Sequence, residues 1–217
     1  MSGALEAGEK VKPRLRGVSH LFGFFAALGA CGFLLLAPAE GSQYAAGVLY
    51  GASLCLMFGC SSLYHRPTWS HQARDRLRKL DHAGIYVLIA GTYTPLAVRS
   101  AQGHWSASLT VMWAGAVLGM IFAVTWSYGP RALRAATYVV LGLMAAPMLI
   151  GLNEVIGTAR VGWLLVGSAV YIAGAVVYAR RWPNPRPDLF GYHEVFHVMV
   201  IIAAAFHFGV VLDLQYR

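Results

Sequence analysis

The stretch from Gly191 to Phe208, GYHEVFHVMVIIAAAFHF, sets three histidines and a glutamate in an otherwise apolar run. Ionisable groups are costly to place in hydrocarbon and mark functional sites, so this run calls for a chemical role. His193 and His197 stand four residues apart. On a helix they project from one face about one turn apart, the spacing at which two imidazoles share a metal ion. His207 follows His197 by ten residues, roughly 80° around a helix and about 15 Å further along it, and stands apart as a separate polar group.

The elements that must position these groups follow from composition. The chain has 217 residues, 58% hydrophobic and 12% charged, with a mean hydropathy of +0.56. That is too apolar for an ordinary soluble domain of this size and reads as an integral multi-pass membrane protein. Uncharged intervals run from Gly17 to Ala39, Gly41 to His65, His82 to Val98, Ser100 to Pro130, Ala135 to Asn153, Val161 to Ala179 and Val195 to Leu212. Each is near or above the ~20 residues that a spanning helix needs. The expected fold is therefore all-α, a seven-transmembrane helix bundle forming a single domain over 17–217 behind a cytoplasmic tail, 1–16.

Charge placement orients that bundle. Of 17 Lys and Arg residues, all but Arg99, Arg160 and Arg217 fall on the side of the N-terminus and the second, fourth and sixth loops. This positive-inside asymmetry predicts a cytoplasmic N-terminus and an outer C-terminus. The partners of these charges are then anionic lipid headgroups at the cytoplasmic face, and nucleic acid is excluded. Cys31, Cys55 and Cys60 lie inside spans, odd in number and without CxxC spacing, and read as packing residues. The first apolar run lacks a clear cleavage site and reads as a retained span, which suits a bacterial inner (plasma) membrane.

Several local expectations follow. Gly23, Gly29 and Gly32 offer close helix contacts in the first span, and His20 is a packing or interfacial residue. Arg66 and Pro67 stop the second span; in Pro67 to Lys79 the alternation of basic and apolar residues in HQARDRLRKL would suit an interfacial helix, but the stretch reads in preference as a solvated basic loop with His71 exposed. Pro95 kinks the third span or ends it early, and Pro147 kinks the fifth. Trp105 and Trp126 lie near the membrane interfaces. WPNPRPD, Trp182 to Asp188, is a stiff inner loop.

Topology then brings distant residues to one depth. His65 ends the second span, Asp81 begins the third, and His193 and His197 begin the seventh, all near the cytoplasmic face. Three imidazoles and a carboxylate in one layer match a catalytic zinc site with an open position, and imidazole nitrogen suits Zn²⁺. Asp81 is the candidate general base or holder of the metal's water; otherwise it caps a helix or pairs with Arg78 or Lys79. Ser61, one turn before His65, bonds a ligand or a water, or back-bonds to its own helix. His82 points about 100° away from Asp81 and reads as a packing or hydrogen-bonding residue. HEVFH also fits HExxH, the zincin pattern in which the glutamate is the base of a metalloprotease, but a third imidazole is more than such a site needs.

The set SSLYH at Ser61 to His65, KLDHAG at Lys79 to Gly84, and HEVFH followed by AAAFHF at Ala203 to Phe208 resembles the hemolysin III proteins. These are the bacterial branch of the progestin and adiponectin receptor (PAQR) family, in a superfamily with alkaline ceramidases. The resemblance covers essentially the whole chain. It implies Zn²⁺ on His65, His193 and His197, with Asp81 bonded to the zinc water and Ser61 nearby. Receptor relatives carry glutamine where this chain has Glu194, so an obligatory base at Glu194 is not implied.

Three functions are consistent with that resemblance. One is a zinc-dependent hydrolase of lipid amides or esters in membrane lipid homeostasis, with an acyl chain held in the bundle. Another is a non-enzymatic receptor-like sensor or regulator with a structural zinc. The last is a pore-forming hemolysin, which gains little from spans that carry no charged stripe.

Overall fold

A computed structural model describes residues 12–100 and 106–217, the side chains of 148–150 excepted. Trp105 and the tail through residue 11, with Lys10, lie outside the described residues. The described residues form eight helices: α1 (Val18–Leu35), α2 (Gly41–His65), α3 (His71–Ser100), α4 (Ala107–Thr125), α5 (Arg131–Leu143), α6 (Ala146–Ile156), α7 (Thr158–Arg180) and α8 (Tyr192–Gln215). Five of them, α1, α2, α4, α7 and α8, are long and apolar enough to cross a membrane. Large apolar side chains such as Phe22, Phe25, Leu36, Leu118, Ile121 and Trp163 point outward, as lipid-facing surfaces require.

Two departures from the sequence reading have clear physical causes. The basic stretch after Pro67 is not a loop: α3 begins at His71 and continues unbroken through it. Ser70 caps the start, its Oγ accepting from the Ala73 N–H at 3.4 Å. Asp75 then pairs with Arg78 and Lys79 one turn on. A run without Gly or Pro, laced with i, i+3 and i, i+4 ion pairs, favours helix even in water. His71 is exposed, as expected. Pro95 sits inside α3 and does not end it, since the helix runs on to Ser100.

The fifth interval divides. α5 ends at Leu143 and α6 starts at Ala146 with Pro147 in its first turn. Proline lacks the N–H that would continue the ladder of α5 but fits the start of a new helix, so a break forms there rather than a kink. With 13 and 11 residues, neither piece alone reaches the ~20 of a membrane span.

The core has two parts. One packs α1, α2 and α8 together with residues of α3, α6 and α7, around Tyr50, Met57, Phe58 and Val211. The other packs α3 against α4 and α5, around Tyr86, Met112 and Leu141. Gly23 admits Phe58 of α2 so closely that a Cβ would meet its ring at 3.0 Å, whereas Gly29 and Gly32 face open space and make no close helix contact. The three cysteines are free and partly buried. Between α7 and α8, Arg186 and Phe190 form a small bridge, and Asn184 accepts from the Tyr192 N–H at 3.0 Å, tying this loop to the start of α8.

Candidate metal centre

The last turn of α2, the third turn of α3 and the first two turns of α8 meet at one end of the bundle. His65 Nε2 lies 3.2 Å from His193 Nε2. One ligand nitrogen from each of His65, His193 and His197 falls within 4.8 Å of the others. Ring centroids are 4.7 Å apart for His65 and His193, 5.0 Å for His65 and His197, and 4.5 Å for His193 and His197. Asp81 Oδ2 is 3.7 Å from His65 Nε2. All five residues foreseen for the site are thus gathered, Ser61 included.

The donor set fits zinc. Two nitrogens bound to one tetrahedral ion at ~2.0–2.1 Å stand ~3.3 Å apart, close to what His65 and His193 adopt. A hydrogen bond between those two imidazoles would satisfy only that pair. It would leave His197, 2% exposed, with its Nδ1 buried and unpartnered. Three converging imidazoles with so few groups to accept from or donate to them could hold a metal ion.

Ser61 makes no back-bond to its own helix. Its Oγ is 2.8 Å from His20 Nδ1, and Ser61 lines the same cavity as Asp81. Asp81 lies well inside α3, so it caps nothing, and Arg78 and Lys79 are taken by Asp75. His82 turns away to Arg134, whose Nη1 is 3.2 Å from His82 Nδ1. Arg134 also donates to the Ser127 carbonyl at 2.8 Å and to the Tyr178 hydroxyl at 3.3 Å.

Of the two places the sequence allows His20, packing or interfacial, the structure takes the first. The residue is buried, not interfacial, and its ring stacks on His197 with centroids 3.6 Å apart and planes within 4°. The signal was present: His20 enters the first span at the same depth as the other histidines. Glu194 is likewise buried. It binds Arg16 Nε at 2.6 Å and accepts from the Gly191 N–H at 2.8 Å, the glutamate half of a capping box. So engaged, it is a structural anchor rather than the base of an HExxH protease. Arg16 belongs to a strap in which the Arg14 and Leu15 N–H groups donate to the Asp188 and Leu189 carbonyls, and Lys12 donates to the Arg66 carbonyl at 2.9 Å. The strap reaches α1 through Gly17, whose φ of +75° and approach to His65 leave no room for a side chain.

A cavity of about 400 Å³ opens from the site into the bundle. Ser61, Asp81, His193 and His197 line one end of it, and apolar side chains of α3, α5, α7 and α8 line most of the rest.

The pattern that defines haemolysin-III related proteins matches residues 9–208. The chain is similar to the adiponectin receptor protein of Drosophila melanogaster, 26% identical over 211 residues, covering 88% of the chain but 48% of the receptor. It thus spans about half the length of that relative. A hemolysin-3 homolog of Bacillus subtilis (strain 168) is 28% identical over 200 residues, 90% of each chain. Hemolysin-3 of Bacillus cereus is 30% identical over 176 residues, 79% of this chain and 75% of that one.

Proposed function

This chain belongs to the haemolysin-III related family, a membrane protein family, and from that premise we propose that it is a zinc-dependent hydrolase of lipid amides or esters. The observation that carries the reading is the meeting of His65, His193, His197 and Asp81 at the head of a largely apolar cavity. His65, His193 and His197 hold the metal through imidazole nitrogen. Bound Zn²⁺ supplies Lewis acidity and lowers the pKa of a water toward ~7. Asp81 takes up the proton at Oδ2, and Ser61, which lines the cavity with it, orients that carboxylate. The cavity walls bind the acyl chain and keep bulk water from the carbonyl.

The membrane topology belongs to the same proposal. The five apolar helices, α3, and α5 with α6 as one bent span make seven crossings. The strap and the basic first turns of α3 lie on the cytoplasmic side against anionic headgroups, and the protein resides in a bacterial inner membrane.

A second reading is favoured by one feature. The histidines join α2 to α8, and the strap joins the entry of α1 to both, so a zinc there would also staple the bundle as in a sensor of membrane state. The test is direct. Purified protein offered a ceramide-like amide and a matched ester in vesicles should release fatty acid, and chelation should stop the release. Release from neither substrate, with chelation lowering only Tm, sinks the hydrolase and leaves the staple.

A further inference from the structure

The cavity does not end in hydrocarbon. Its far end is lined by Leu164, Ser168 and Tyr171 of α7 and by His207 of α8. His207 Nε2 is 3.1 Å from the Leu164 carbonyl oxygen. A carbonyl can only accept, so Nε2 carries the proton and Nδ1 keeps its lone pair. That Nδ1 is buried and has no hydrogen-bond partner among the described residues.

Packing fixes which way the lone pair faces. The Cδ2 and Nε2 edge of the ring lies on α7 at Gly167, where an added Cβ would come within 2.5 Å of Cδ2. Nδ1, on the opposite edge, therefore faces away from α7. The Tyr171 ring holds the imidazole in place with centroids 5.5 Å apart and near-perpendicular planes. The Tyr50 hydroxyl already donates to the Ala204 carbonyl at 3.5 Å, and no hydrogen bond joins the Ser168 or Tyr171 hydroxyl to His207 among the described residues. A fixed acceptor in apolar surroundings is costly unless something donates to it.

We infer that the cavity takes a lipid whose acyl chain carries a hydroxyl, and that this hydroxyl donates to His207 Nδ1. The inference rests on the reading of the histidine end as the seat of the lipid's carbonyl. His197 and His207 are ten residues apart on α8, about 15 Å along its axis, so the hydroxyl belongs well down the chain or at its tip. His207 is then a specificity-determining residue. An unsubstituted chain fills the same space but leaves the acceptor unpaired, which is where discrimination arises.

The test compares lauric acid with its ω-hydroxy derivative, each displacing a fluorescent fatty acid from the purified full-length protein. The same pair is also presented as N-acyl amides. The wild type should prefer the hydroxylated member by about tenfold, the size expected from one buried hydrogen bond. His207→Phe should lose that preference while holding its zinc and binding the plain chain at least as well. Preference confined to the amides identifies the intact lipid as ligand, and preference confined to the acids identifies the released acid. Equal affinities in the wild type, or a preference that survives His207→Phe, overturns the inference. The wild-type comparison decides the matter even if the variant fails to fold. Preference without any amide turnover sinks the hydrolase alone, and turnover without preference sinks this inference alone.

Discussion

The two ends of the bundle handle polar groups in opposite ways. At the end away from the histidines, Arg160 of α7 grips Asp213 of α8 with two bonds, 2.5 and 3.0 Å, and Arg217 adds a third at 2.9 Å. These side chains are 26% and 36% exposed for the main pair and complete in themselves. At the histidine end, Glu194 is 1% exposed, and His20, His65 and His197 are buried with it. There, His197 Nδ1 and His20 Nε2 have no partner among the described residues. One end is a clasp; the other holds more donor capacity than the protein itself uses. Gln215, buried against Gly47 near the clasp, also has an unpartnered amide, but a lone amide is a poor ligand for a transition metal.

That contrast can be broken most severely at the histidines. His193→Ala or His65→Ala should reduce bound zinc from near one per chain to near none and lower Tm with it, read by elemental analysis and a melting curve. Asp81→Asn should keep the zinc while turnover falls by ~10²–10⁴-fold, the usual weight of a positioned base. Full turnover in the zinc-bearing Asp81→Asn protein would remove the catalytic assignment and favour the staple.

Smaller effects sharpen the comparison. Glu194→Gln breaks a pair with one buried member and should cost about 3 kcal/mol of stability. Asp213→Asn, at the exposed clasp, should cost about 1 kcal/mol or less. Equal costs in denaturant titrations would erase the distinction between the ends.

The smallest effect concerns pH. The Tyr128 hydroxyl, then Lys79 and Arg78, hold the Asp75 carboxyl below the usual carboxylate range. A lowered folded pKa contributes stability above the unfolded value of ~3.9 and loses it as pH falls through the folded value. Tyr128→Phe should therefore shift the acid limb of the thermal melting profile slightly upward in pH, leaving neutral pH almost unchanged.

Most of the site was legible because its signals are local. Four-residue spacing puts His193 and His197 on one face, and span direction alone sets the depth of His65 and Asp81. The depth of His20 was legible in the same way, but a single histidine in an apolar run has no spacing to show that it stacks on His197. The bond between Arg16 and Glu194 escaped because its members are far apart in the chain and share no pattern. The first turns of α3 were misread because charge reports exposure to water, not loss of helix. Pro147 marked an interruption without saying whether the helix would bend there or restart.

The close fit of Gly17 against His65 has a practical corollary for anyone altering the front of this chain. Shortening it beyond Pro13, or lengthening it between Arg16 and Val18, would shift a backbone that rests directly on His65. Affinity tags and fluorescent fusions should therefore leave the stretch from Lys12 to Val18 unaltered.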